Sequence, residues 1–235
     1  MQYPGSKSIG SVDNSAIYTL CHSKLPRDMT IVGTIHVGTP EYFATLQSHL
    51  DERTAKGAEI QYENSTFPSP QNLKTYPDWV QNRTHRLRKS LAKFTINQTP
   101  TGYVEQGSKE GIQYRATWQP HDLNRADLVL RFGRVSSEIV TKAVEEASRG
   151  YKVYESPAIA AAGLIMAAKG WRILRDERTN FALNAVDNTL GKNPATNLTL
   201  LWGADHLPGL VEGMVDRGYN VTNCVWVPQE TTHIS

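Results

Sequence analysis

Ile31-Val32-Gly33-Thr34-Ile35-His36-Val37 and Leu200-Leu201-Trp202-Gly203-Ala204-Asp205-His206-Leu207-Pro208-Gly209 carry one pattern twice: an apolar run, then Gly-x-x-His, then a stretch of helical character. An apolar or β-branched run that ends in glycine reads as a buried strand running out into a turn, so each histidine is expected at or just past a strand's carboxyl end. Open α/β sheets carry their chemistry there. Glycine three residues ahead of the histidine lets the backbone turn sharply or lets another segment come close, so that the imidazole is aimed into a crevice. A single copy reads more simply as a core histidine. Two copies far apart in sequence point to a fold that brings His36 and His206 together.

The chain has 235 residues, enough to bury a substantial core without disulfides or metal staples, and one domain with its core at about residues 16–230 is the expected organisation. The formal net charge is +2 with an ordinary charged fraction, so nothing calls for a nucleic-acid or anionic-membrane partner. Cys21 and Cys224 both lie in apolar runs and read as buried free thiols. Met1 to Asn14 lacks a basic start and an apolar core, and the run from Ala158 to Ala168 is too short to span a bilayer, so a soluble cytoplasmic protein is expected. Without a secretory route, the Asn-x-Ser/Thr triplets at Asn64, Asn82, Asn97, Asn197 and Asn220 read as coincidence.

Strands are expected at Ala16 to Cys21, Met29 to Val37 and Ala58 to Tyr62, with a helix opened by Pro40 between the last two. A long helix follows from Asp78 to Thr95, with Val80, Leu87, Leu91 and Phe94 at helical spacing. Arg83, Arg86, Arg88, Lys89 and Lys93 read as its solvated face. A strand is expected at Ile112 to Trp118, after which Asp122 or Asn124 is placed to cap a helix. Helices at Ser136 to Arg149 and Pro157 to Leu190, the second with Gly170 as a point of division, fill the middle. The strand Asn197 to Gly203, the helix His206 to Arg217 and a strand Val221 to Val227 close the chain. Strands and helices alternate at both ends around a helical middle, so the class is α/β: a mixed sheet flanked by helices with a helical insertion.

Glu63 directly follows the strand at Ala58 to Tyr62 and is expected at the same sheet edge as His36. Arg178 lies four residues after Leu174 and three before Phe181, on the inward side of its helix, where an arginine must be paired and offers a planar fork to a carboxylate or oxyanion. Asp122 is a weaker supporting candidate. Two imidazoles and a carboxylate are a recurrent ligand set for zinc, manganese, cobalt or iron that leaves positions open for water and substrate.

Gly33-Thr-Ile-His36-Val, Glu63, Gln106, Trp118 to Asp122, Glu177-Arg178-x-Asn180, Trp202-Gly-Ala-Asp-His206-Leu-Pro-Gly209, Gly218-Tyr219 and Trp226 together resemble the TraB/PrgY/Tiki superfamily in its compact bacterial form. The resemblance implies an erythromycin-esterase/ChaN-like fold and a metal-dependent peptidase site on His36, His206 and Glu63. Two departures stand out: Asp205 replaces a small residue, as a further ligand or a helix cap, and the loop after Glu63 lacks an arginine often found there. Three readings stay open. One is a metal-dependent hydrolase of peptide or amide bonds, with a divalent Mn, Co or Zn ion on His36, His206 and Glu63 and with Arg178 on the oxyanion. The others are a non-catalytic peptide-binding module and a metal-free esterase with a histidine base. The partner expected is a peptide or a small amide or ester substrate, with no nucleic acid and no membrane; a homo-oligomer is compatible with all three.

Overall fold

The computed structural model describes residues 3–9, 12–96 and 100–229. Along them run β1 (Ser6–Ile9), β2 (Val12–His22), β3 (Asp28–Thr34), β4 (Val37–Gly38), α1 (Pro40–Ala55), β5 (Glu59–Tyr62), α2 (Pro70–Leu73), α3 (Asp78–Ile96), β6 (Val104–Glu105), β7 (Gln119–Pro120), α4 (Arg125–Phe132), α5 (Arg134–Ala147), α6 (Pro157–Ile165), α7 (Arg178–Lys192), β8 (Leu198–Gly203), α8 (Leu207–Asp216) and β9 (Tyr219–Pro228). The chain divides into two compact units. One holds residues 1–63, 100–121 and 179–235, the other residues 64–99 and 122–178.

The first unit is a mixed sheet in the order β1-β2-β3-β8-β5-β7, with β9 on the other side of β2. β2 is antiparallel to β1, β3 and β9, whereas β3, β8, β5 and β7 run parallel. Side chains alternate across it with period two. Met29, Ile31, Leu198, Leu200 and Trp202 face one way, onto Ala182, Leu183 and Val186 of α7 and Leu207, Leu210, Val211 and Met214 of α8. Val32, Ile60 and Leu201 face the other way, onto Tyr42, Phe43, Leu46 and Leu50 of α1. Each such side chain contributes about 1.5–3 kcal/mol on burial, so a one-residue slip in a strand would forfeit both faces and the register is strongly specified.

The second unit is helical among its described residues. Asn124 supplies the expected cap: its side chain accepts the Ala126 and Asp127 N–H groups while Asp127 reaches back to the Asn124 N–H. The basic face of α3 is corrected in part, because Arg83 and Arg86 are not a solvated surface. Arg83 is buried and donates to Glu138 and Ser137, and Arg86 forks onto Glu145 and reaches Glu138, so α3 and α5 are joined by an ion-pair seam. Arg88 and Lys89 are exposed as expected. Between α6 and α7 the helical path is π-wound at Met166–Gly170 and Arg172–Glu177, at the point where Gly170 is expected to divide it.

Three further expectations change. Ile112 to Trp118 is not a strand: Ile112 and Trp118 are buried, residues 113–117 are exposed, and the Trp118 N–H closes a turn onto Arg115 O. The apolar residues there are satisfied by packing, since Tyr114 lies against the rings of Tyr62 and Trp118. The cysteines are not buried as expected: Cys21 is exposed, and Cys224 is half-buried against the cluster that holds Tyr18. Strand β1 has no counterpart in the expected elements. The Asn97 triplet lies outside the described residues. No single helix among the described residues is long and apolar enough to cross a membrane.

Asp28 at the start of β3 is held by α1: Arg53 donates to both of its oxygens at 2.8 and 2.9 Å and to Thr199 Oγ1 at 3.1 Å. Those hydrogen bonds lower the Asp28 pKa against the upward push of burial. A depressed folded value contributes stability that is present above the unfolded carboxylate range, about pH 4, and is lost as pH falls through the folded value. Asp28→Asn is therefore expected to be less stable than wild type at neutral pH, with the gap closing in acid when urea denaturation is repeated down the pH scale. A gap independent of pH would contradict this.

Candidate active site

The parallel strands deliver the first-unit candidates to one edge. His36 stands two residues past β3, Glu63 immediately follows β5, and His206 stands three residues past β8. In β3 the glycine of the first motif serves a close approach rather than a turn, since a Cβ on Gly33 would lie 2.8 Å from Leu207 Cδ2 and 2.9 Å from Ala16 O. In β8 the glycine of the second motif leaves room for the site itself. A Cβ on Gly203 would lie 2.9 Å from Glu63 Oε2 and 3.7 Å from both His36 Cε1 and His206 Cδ2. The three side chains therefore converge on Gly203.

Each is held in place. Glu63 Oε2 accepts the Gly203 N–H at 2.6 Å, and Oε1 lies 4.0 Å from His206 Nε2. His206 is buried, meets the Thr179 hydroxyl through Nδ1 at 2.9 Å and stands edge-on to Trp202. His36 is the exposed member of the three. Its Nδ1 lies 3.0 Å from Gln106 Oε1, and its backbone oxygen accepts the Gln106 N–H at 2.9 Å beside the short β4–β6 ladder. The approach to His36 is fixed by Tyr42, whose hydroxyl accepts the Ile35 N–H at 3.0 Å and is kept protonated by burial, which raises its pKa.

Gln106 does more than hold His36. Its Oε1 also accepts from the Thr34 hydroxyl at 3.2 Å, and its Nε2 donates to the Tyr114 hydroxyl at 2.8 Å. Burial, together with the neighbouring Tyr62 and the charge of Glu63, pushes the Tyr114 pKa up to about 12. Tyr114 is thus a protonated phenol within electrostatic reach of the Glu63 carboxylate. In the sequence Gln106 carries only a resemblance, and Tyr114, Tyr42 and Thr179 carry no signal. Their contacts join segments far apart in the chain, and spacing does not encode them.

The donor types suit a divalent cation, and anchoring both imidazoles through Nδ1 is how histidine ligands are oriented. Placement is another matter. Among the described residues no three His, Cys, Asp or Glu side chains stand together so as to hold a metal ion, and His36, His206 and Glu63 are not brought into one ligand sphere. Asp205 is exposed, and no side chain caps the start of α8.

Arg178 and Asp122 belong to the second unit. The Arg178 fork donates to both Asp122 oxygens at 2.9 and 2.6 Å, which is the pairing an inward arginine requires, and the Asp122 side chain is fully enclosed. Elsewhere in the first unit, a polar groove of about 720 Å³ is lined by Glu59, His121, Asn184, Asn188, Thr189 and Lys192, among others. None of the three convergent side chains lines it.

Comparison with protein-family models, with characterised proteins and with solved structures finds no match to the chain.

Gly203 has an extended conformation open to any residue, φ −53° and ψ 139°, and the nearest obstruction to a Cβ is the far end of the Glu63 side chain. Gly203→Ala is expected to fold with a melting temperature close to wild type while pushing the Glu63 carboxylate off the Gly203 N–H. A crystal structure of the variant with Glu63 unmoved would contradict this. Arg178→Ala strands an enclosed carboxylate, so a loss of about 3–5 kcal/mol is expected in chemical denaturation; a loss below about 1 kcal/mol would show the pair to be dispensable.

Proposed function

We propose that the His36, Glu63 and His206 site hydrolyses peptide or amide bonds. The observation that carries the reading is the convergence of two Nδ1-anchored imidazoles and a fixed carboxylate on a glycine at the carboxyl ends of parallel strands. His36, as the solvent-facing member, is the general base. With Nδ1–H on Gln106 its Nε2 carries the lone pair, takes a proton as the water oxygen attacks the carbonyl carbon, and returns it to the leaving nitrogen as the C–N bond breaks. Glu63, held by the Gly203 N–H, supplies the negative charge that stabilises the imidazolium formed in between. His206, buried against Thr179, stands 4.0 Å from the other oxygen of that carboxylate. Arg178 has no part in this step because its fork is engaged by Asp122.

The resemblance to the TraB/PrgY/Tiki superfamily supports the reading, and with it we propose the erythromycin-esterase/ChaN-like form of the α/β fold. A second reading, the metal-dependent hydrolase, is favoured by the Nδ1 anchoring of both imidazoles. His36, His206 and Glu63 do not stand together as one ligand set, so this reading requires the site to rearrange.

Turnover of a peptide library by tag-free protein, with metal content measured in parallel, tests both. Cleavage is expected to survive chelation, and His36→Ala and Glu63→Gln are each expected to lower kcat/KM by about 10²- to 10⁴-fold. A stoichiometric metal lost in His36→Ala and His206→Ala would instead establish the metal-dependent form. Peptide binding without any turnover would leave a binding module.

A further inference from the structure

Helix α7 has two working faces. Ala182, Leu183, Val186 and Leu190 enter the core against the sheet, while Phe181, Asn184, Ala185, Asn188, Thr189 and Lys192 recur at helical spacing along the polar groove of about 720 Å³. Across the groove stand Glu59 of β5 and Thr117, Gln119 and His121. Two elements carry it toward the proposed site. Thr179, which meets His206, lies two residues before Phe181 on α7, and β7 runs in register with β5, so that the His121 N–H donates to Tyr62 O at 3.0 Å beside the step to Glu63. The lining is close to neutral. Glu59 and Lys192 oppose one another in charge, burial lowers the His121 pKa and keeps that imidazole uncharged at neutral pH, and Phe181 and Ala185 are the apolar members. Such a groove suits neither a polyanion nor a lipid chain.

The polar side chains differ in what they have left to offer. Thr189 and Glu59 are taken up by the buried Gln61, whose Nε2 donates to Thr189 Oγ1 at 2.8 Å and to Glu59 Oε1 at 3.1 Å. Asn184 and Asn188 have no side-chain hydrogen bond among the described residues. They stand one helical turn apart, about 5–6 Å between Cβ atoms. An extended peptide turns the N–H and C=O of one residue to the same edge and repeats that pair every second residue, about 6.6 Å further on. A carboxamide accepts at its oxygen and donates at its nitrogen, so each asparagine matches one such pair. We propose that the groove binds an extended peptide by its main chain, Asn184 and Asn188 pairing with alternate residues, so that the substrate class is an unfolded segment rather than a small amide or ester. The helix from Phe181 to Lys192 is about 16 Å long, room for about five extended residues. Strand addition on β7 is the other way to hold a main chain, and it is opposed by the two-residue length of that strand and by Pro120.

Cleavage of the bound segment rests on the hydrolase reading, whereas its capture in the groove does not. Binding is therefore measured on the full chain carrying His36→Ala, which removes the proposed base and leaves the groove lining intact. The probes are an acetylated, amidated hexapeptide of alternating alanine and serine, its analogue N-methylated at every residue, and cellohexaose, each followed through the side-chain amide resonances of Asn184 and Asn188 in ¹⁵N NMR. The hexapeptide is expected to shift both amides. Asn184→Ala and Asn188→Ala are each expected to weaken its binding about three- to tenfold with melting temperatures close to the parent, and N-methylation to weaken it at least about tenfold. Hexapeptide binding unchanged in both asparagine variants, equal binding of the N-methylated analogue, binding of cellohexaose in place of the peptide, or no binding of the hexapeptide overturns the proposal. With His36 restored, kcat/KM for the hexapeptide is expected to fall in both asparagine variants while that for acetyl-alanine methylamide holds. Absence of turnover with asparagine-dependent binding intact overturns the hydrolase reading alone, and turnover of the hexapeptide that neither variant changes overturns the groove alone.

Discussion

The in-register parallel pairing of β3 with β8, which sets Gly33 beside Trp202 and Thr34 beside Gly203, is the constraint on which the rest depends. It places two histidines from opposite ends of the chain past the same sheet edge, and β5, paired to the other side of β8, adds Glu63 to them. The register is enforced from both faces. Leu200 and Trp202 must meet α7 and α8 while Leu201 meets α1. The packing that stabilises the sheet therefore also aims the site. Gly203 completes the arrangement by contributing nothing beyond its backbone, since a methyl group there would occupy the point on which the three side chains converge.

Around this point rigidity is graded. Glu63 and His206 are enclosed and held by a backbone N–H and a threonine hydroxyl, whereas His36 reaches solvent and is steered by Gln106 and Tyr42. Buried polar groups with every bond satisfied are stiff, and a low local dielectric strengthens each bond. A reactive group benefits from such support when it is itself reachable. The second unit uses the same principle, with Arg178 on Asp122 and the Arg83 and Arg86 seam on Glu138 and Glu145.

Much of this was legible in the sequence because it is periodic or local. Gly203 at the end of β8, the proline opening α1, the Asn124 cap and the strand-end Glu63 all announce themselves within a few residues, and the α/β class follows from their order. What was not legible is carried by distant pairing. The basic residues of α3 read as a solvated face because Glu138 and Glu145 lie more than 50 residues away. The segment from Ile112 to Trp118 read as a strand because nothing local shows that Tyr114 is taken up by Tyr62 and Trp118. Gln106 and Tyr114 are ordinary residues in an irregular connection. Only the fold puts them beside His36.

The central claim is that His36 and His206 act in one site. A double-mutant cycle on kcat/KM, comparing His36→Ala, His206→Ala and the double variant on one peptide substrate, tests it most directly, because residues that work as a unit are strongly non-additive. The account predicts that the double variant loses no more than the worse of the two single variants. Losses that multiply would show that the two histidines act independently, and would contradict it.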